Sequence, residues 1–158
     1  MQYKKLIFLL LMFLGNKCLS QSFEAISKKI KYHSEPKHLA GLNHKIRLDL
    51  YKQGKLDFLH HCDTIFILGS QFTDSGILLG KIWTRNGSVT YSYQKGVFDF
   101  DTYQPFTPYE CELIEKWDTA KIKAAQTAQL DGTYNYGTRV IKKDKTIKID
   151  NISFNQIR

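Results

Sequence analysis

Cys111, His60 and His61 are the residues whose types can do nucleophilic chemistry in this chain. Cys111 follows Thr107-Pro108-Tyr109-Glu110, a sequence that opens a helix, so the thiol falls in a first turn. There the positive end of the helix dipole favours a thiolate. A histidine brought beside it from elsewhere in the chain completes a nucleophile and base. No local signature ties His60 or His61 to Cys111. His60-His61-Cys62-Asp63 has the composition of a metal site. On a strand, however, His60 and Cys62 share one face and His61 and Asp63 the other, which gives each face two ligands where zinc needs three or four. His33, His38 and His44 are spaced unlike any zinc motif. No metal is assigned.

Asp99 and Asp101 share one strand face and are the one carboxylate pair placed for glycosidase-type chemistry. Lys81 and Arg85 lie near enough across the sheet to neutralise them, which is an ordinary cross-strand charge pattern. There is no serine nucleophile elbow, His-Glu-x-x-His helix, phosphate-binding glycine loop or dinucleotide fingerprint. No cofactor is assigned.

Trp83 is the strongest binding candidate. Its sheet face also carries Lys81, Arg85, Thr90, Ser92, Asp99 and Asp101. A tryptophan on a polar face with mixed charges is a stacking platform for a sugar or a peptide. The alternative is that a helix covers Trp83 and makes it core.

The start of the chain reads as an address. Lys4 and Lys5 precede the unbroken apolar run Leu6–Leu14, and a short tail ends at Ser20. This is the order of a secretory signal peptide, far short of the ~20 apolar residues that span a bilayer. Cleavage after Ser20 leaves small residues at −3 and −1. Lipid attachment at Cys18 fits less well, because Lys17 precedes the cysteine. Removing residues 1–20 takes away three lysines and no acid, so the net charge falls from +8 to +5. The remaining lysines are scattered and form no stripe of the kind a nucleic-acid binder presents. The expected location is therefore periplasmic or secreted, with no transmembrane segment after cleavage. In that setting Cys62 and Cys111 can close a disulfide loop of about 50 residues, contributing ~3–4 kcal/mol. The alternative is two buried thiols acting as small hydrophobes.

The elements that must position these residues follow from hydrophobic period. Ser22 caps a short helix whose Phe23, Ile26 and Ile30 share a face. Residues 33–43 read as a loop. Ile46, Leu48 and Leu50 alternate with polar residues and predict a strand, followed by a turn at Gln53-Gly54-Lys55 and a second strand over 56–61. Ile65-Phe66-Ile67-Leu68 is apolar on both faces, which marks the central strand. Residues 69–76 read as a polar loop and 77–84 as the next strand.

Asn86-Gly87 predicts a type I′ hairpin with Thr84 opposite Val89, Ile82 opposite Tyr91 and Gly80 opposite Tyr93. Lys95-Gly96 predicts a second, with Tyr93 facing Phe98 and Tyr91 facing Phe100. One face then carries Ile82, Val89, Tyr91, Tyr93, Phe98 and Phe100 as core. Thr107, Pro108 and Glu110 form a capping box with proline at the first helical position. The stripe Leu113, Ile114, Trp117, Ala120, Ala124 and Ala128 follows, with a break near Asp118-Thr119. Two alternating segments, 133–142 and 146–154, close the chain as a hairpin. The expected fold is α+β: residues 21–158 form one domain, an antiparallel meander sheet of five to seven strands. A short N-terminal helix precedes the sheet, and one main helix packs on a sheet face. The expected function is non-enzymatic binding of a peptide, protein or glycan, with an extracytoplasmic hydrolase or thiol enzyme built on Cys111 and His60 or His61 as the alternative.

Overall fold

The computed structural model describes residues 23–30, 37–59, 62–72, 74–101, 106–127, 133–143 and 146–155. His60, His61, Ser22 and the N-terminal segment 1–20 lie outside the described residues. Six antiparallel strands form one sheet: β1 (Thr64–Phe72), β2 (Ile77–Thr84), β3 (Gly87–Gln94), β4 (Val97–Phe100), β5 (Thr133–Lys143) and β6 (Thr146–Asn155). Their spatial order is β4-β3-β2-β1-β5-β6. The fold is α+β, as the sequence predicts.

Helices cover both faces. Helix α1 (residues 23–30) and helix α2 (Lys37–Lys52) lie against one face. Phe23, Ile26, Ile30, Ile46 and Leu50 pack there with Ile65, Ile67, Leu78, Ile82, Val89, Tyr91 and Val140. Helices α3 (Pro108–Lys116) and α4 (Thr119–Thr127) cover the other, where Leu113, Ile114 and Ile122 meet Leu68, Trp83 and Ile152. This explains the doubly apolar run in β1. Ile65 and Ile67 enter the first core, while Phe66 and Leu68 enter the second. β1 pairs with β2 on one side and β5 on the other, so it is an interior strand.

Residues 37–52 are helical, where the sequence predicts a loop and a strand. Ile46 and Leu50 are four apart and fit both periods. The deciding positions are Ala40, Asn43 and Arg47, all buried at helical spacing. Two of these are polar, which disguises the stripe. Arg47 is held by Ser27: its Nε donates to Ser27 Oγ at 2.9 Å and its Nη2 to the Ser27 carbonyl at 3.2 Å. Gly54, at φ 71°, ends the helix. Residues Asp57–Leu59 form a 3₁₀ turn rather than a strand, with Leu56 and Leu59 buried three apart.

β1 continues to Phe72 through residues expected in a loop. Gly69 and Gly80 are cross-strand partners in its middle. Gly69 faces Tyr136 on β5, and Gly80 faces Tyr91 on β3. A Cβ on Gly69 would sit 2.0 Å from Tyr136 Cζ, and one on Gly80 would sit 2.1 Å from Tyr91 Cζ. The two tyrosine rings therefore lie directly over the two glycines, and the strand tolerates glycine because the rings fill the space.

The β2–β3 hairpin pairs Thr84 with Gly87, Ile82 with Val89 and Gly80 with Tyr91. The predicted register is two residues out, because the loop is Arg85-Asn86 and Gly87 already belongs to β3. Gly87 does not use positive φ. Its lack of a side chain instead admits Phe58, whose Cβ would be 2.9 Å from a Cβ there. A shift of two preserves parity, so every side chain keeps its predicted face. The Lys95-Gly96 turn does have positive φ at both residues, 48° and 91°. It sets Tyr93 opposite Phe98 and Tyr91 opposite Phe100, as predicted.

Helix α3 opens with the predicted capping box. The Glu110 amide donates to Thr107 Oγ1 at 3.2 Å, and the Thr107 amide donates to Glu110 Oε2 at 2.7 Å. The helix ends at Trp117, in the left-handed region at φ 54°. Asp118 caps α4 by accepting from the Lys121 amide at 3.1 Å. The break resets the helical phase. Ala120 and Ala124 are therefore exposed and Ile122 is buried, contrary to the predicted stripe.

Candidate functional site

Helix α3 packs over β1 and β5, and its side chains Cys111 and Glu115 reach Lys81 and Trp83 of β2. Pro108, Cys111, Glu112 and Glu115 recur at three to four residues and form one stripe of the helix. With Lys81 of β2 and Phe106 they line an open recess of about 410 Å³. Lys81 Nζ donates to Cys111 Sγ at 3.5 Å and lies 5.6 Å from the centre of the Trp83 ring.

Trp83 is 5% exposed. Its ring stacks on Phe66 at 5.4 Å, and its Nε1 donates to Glu115 Oε1 at 2.8 Å. It is therefore a core residue under α3 and not an exposed platform. The helix covers it because Leu113 and Ile114 need an apolar seat, and the Phe66–Trp83 pair helps to supply one.

The other predicted ligand residues separate. Thr90 is buried and is the cross-strand partner of Lys81. Its amide and hydroxyl both donate to Asp101 Oδ1 at 3.1 Å, and the Asp101 amide returns a bond to the Thr90 carbonyl at 3.0 Å. Asp101, at φ 55°, thus closes the end of β4. Trp83 pairs with Ser88, so Thr90 and Asp101 are not its cross-strand neighbours. Asp99 is exposed on the edge strand, and Arg85 is exposed in the β2–β3 turn.

Cys62 and Cys111 are both buried and are not joined, so the predicted disulfide is absent. Cys62 Sγ donates to the Phe58 carbonyl at 3.3 Å and accepts from Asn86 Nδ2 at 3.1 Å. Phe58 packs against the first core, whereas Cys111 belongs to the second. The sheet lies between the two cores.

Burial pushes the Cys111 thiol above its ordinary value. The charge and hydrogen bond of Lys81 act to lower it, and the charges of Glu110 and Glu115 add to the rise. The helix N-terminus does not prevail: at neutral pH this is a thiol. Glu112 is held below the usual carboxylate range by the hydrogen bond and charge of Lys116. Among the described residues the recess therefore presents one ammonium, two carboxylates, a neutral thiol and the apolar wall of Phe106 and Pro108.

Glu112, Glu115, Phe106 and Pro108 were not among the residues the sequence marked for function. Their signal is the 108-111-112-115 spacing, legible once the capping box fixes the helix phase. Among the described residues no three His, Cys, Asp or Glu side chains converge on a metal-sized site. Among the same residues no helix is long and apolar enough to cross a membrane. No protein-family model, curated protein or solved structure matches this chain.

Proposed function

We propose that the chain is a small exported binding module whose ligand seat is the recess between α3 and β2, and that its ligand is a short peptide segment. The observation that carries this reading is the meeting of Lys81 with Glu112 and Glu115 around about 410 Å³ walled by Phe106 and Pro108. That volume lies within the ~300–1,000 Å³ range of ligand sites. Paired opposite charges flanking an apolar wall suit a segment with both a carboxylate or carbonyl to meet Lys81 and an ammonium or amide to meet the glutamates. A glycan is disfavoured because one Trp83 face stacks on Phe66 and Glu115 takes its Nε1. Binding is favoured over thiol catalysis because burial raises the Cys111 thiol.

The test is an amide-shift titration of the ¹⁵N-labelled protein with zwitterionic tripeptides of apolar centre and, in parallel, with neutral oligosaccharides. Peptide-dependent shifts should cluster on residues 106–116 and on β2, and Lys81→Ala should abolish them. Shifts from the oligosaccharides alone, or mapping to the opposite sheet face, overturn the reading. Export has its own test, the intact mass of the mature protein. A chain starting at Gln21 supports it, and a mature chain that retains Met1 removes it.

A further inference from the structure

Lys81 and Cys111 place an amine and a thiol 3.5 Å apart at the wall of an open recess. Two nucleophiles at this distance have a specific joint chemistry under oxidation. Sulfenic acid formed on a cysteine is an electrophile at sulfur, and the nearest nucleophile captures it. Cys62 is not that nucleophile, since its sulfur is held between the Phe58 carbonyl and Asn86. We propose that Lys81 and Cys111 are an oxidative cross-linking pair, in which a hydroperoxide converts Cys111 to sulfenic acid and the Lys81 amine then closes a sulfenamide bond.

The steps balance. In the first, Cys111 reacts as the thiolate formed at alkaline pH: its sulfur attacks a peroxide oxygen, the O–O bond breaks, and the departing hydroxide takes up the proton the thiol lost. The sulfur gives up two electrons, and hydrogen peroxide leaves one water. In the second, the unprotonated Lys81 nitrogen attacks the sulfur, the S–O bond breaks and a second water leaves. The ammonium proton is lost to solvent through the open side of the recess. The product is lighter than the reduced protein by two hydrogen atoms. An added thiol reverses it by attacking the sulfur and releasing the amine, and a second thiol frees Cys111.

The geometry favours this route. The flexible four-carbon stem of lysine lets Nζ approach the sulfur without moving the backbone. The residues facing the pair from both elements are Glu110, Glu112 and Glu115 of α3 and Trp83 of β2. None of these side chains is a nucleophile able to outcompete an adjacent amine. The link ties the first turn of α3 to β2 and consumes the one cation of the recess. Oxidation would then alter any ligand's electrostatic seat, a consequence that rests on the binding reading. The cross-link itself does not.

The experiment treats the folded full chain with hydrogen peroxide at mildly alkaline pH and maps the peptides by tandem mass spectrometry. A Lys81–Cys111 linked peptide, lighter by two hydrogens and lost after dithiothreitol, is expected. Lys81→Arg keeps the charge and should give no linked peptide, with Cys111 passing instead to the sulfinic and sulfonic acids. Three outcomes for the wild-type chain overturn the proposal: oxygen uptake on Cys111 without linkage, a Cys62–Cys111 disulfide, or an unmodified Cys111 under conditions that oxidise the urea-unfolded chain. The wild-type map is decisive even where the variant folds poorly.

Discussion

Truncating Trp83 to alanine tests whether α3 is docked as described. Trp83 is 5% exposed, stacks on Phe66 at 5.4 Å and belongs to the core under Leu113 and Ile114. Removing a buried tryptophan side chain costs about 3–5 kcal/mol, the lost transfer energy plus a residual cavity. The hydrogen bond from Nε1 to Glu115 adds little to that figure, because Glu115 is exposed and water replaces its partner. Trp83→Phe keeps most of the ring and loses that bond, so it should cost about 1–2 kcal/mol. A domain of this size has ~5–15 kcal/mol in total, so the alanine variant should fold but with little margin. The assay is urea unfolding followed by far-UV circular dichroism, with Trp117 fluorescence as a second probe. The midpoint should fall without a change in m. A loss below about 1 kcal/mol, the size of an ordinary surface change, would refute the packing. It would mean that α3 leaves the ring uncovered in solution, and the stacking platform would return as the candidate site.

Three further outcomes follow from particular contacts. Gly69→Ala drives a Cβ to 2.0 Å from Tyr136 Cζ and should cost at least ~1–3 kcal/mol. The double variant with Tyr136→Ala should lose less than the sum of the singles, and simple additivity in a mutant cycle would show that the ring does not cover the glycine. Asn43 is buried with neither side-chain polar atom hydrogen-bonded among the described residues, so Asn43→Leu should raise stability by about 1–2 kcal/mol, and a lowered urea midpoint would contradict this. Burial pushes the Asp150 carboxyl up, but hydrogen bonds and charges from Arg139 and Lys148 more than offset it, and the net shift is down. Its stabilisation is thus present above the unfolded value of ~3.9 and lost as pH falls through the lower folded value. Asp150→Asn should remove about 1–2 kcal/mol at neutral pH and flatten the acid limb of the stability curve, whereas an unchanged limb would show that the Arg139–Asp150 pair at 2.8 Å contributes nothing.

The parts of the fold legible in the sequence are those where one local rule had no competitor. The Thr107-Pro108-Glu110 box marks a helix start by satisfying its own amides, so the start needs no tertiary partner to set it. The Lys95-Gly96 turn fixes a register because both residues adopt positive φ. Residues 37–52 read as loop and strand in the sequence because buried Asn43 and Arg47 break the apolar stripe that announces a helix. What allows Arg47 there is Ser27 on α1, twenty residues away, and no window over α2 contains it. At Asn86-Gly87 the glycine answers a tertiary demand, the approach of Phe58, rather than the turn's demand for positive φ. The local rule and the long-range packing asked for glycine one position apart in the hairpin, and the packing set the register.

The same distinction separates the two halves of the site. Parity along β2 put Lys81 and Trp83 on one face correctly, and it is indifferent to the two-residue register error. The capping box put Cys111 on the first turn of α3. What neither rule contains is the angle at which α3 crosses the sheet, which is set by where Leu113 and Ile114 find apolar partners. Gly137 of β5 is part of that answer. A Cβ there would lie 2.5 Å from Ile114 Cδ1, so the missing side chain lets α3 sit close to the sheet. With the helix that low, Trp83 is sealed as core and Cys111 is carried down to Lys81. Burial and the lysine contact are then consequences of one close approach. Ile114 Cδ1 is the end of its side chain and turns aside from a single methyl. Gly137→Leu rather than Gly137→Ala should therefore lift α3, read as a red shift of Trp83 emission in a Trp117→Phe background. An unshifted spectrum would show that the height of α3 does not depend on Gly137.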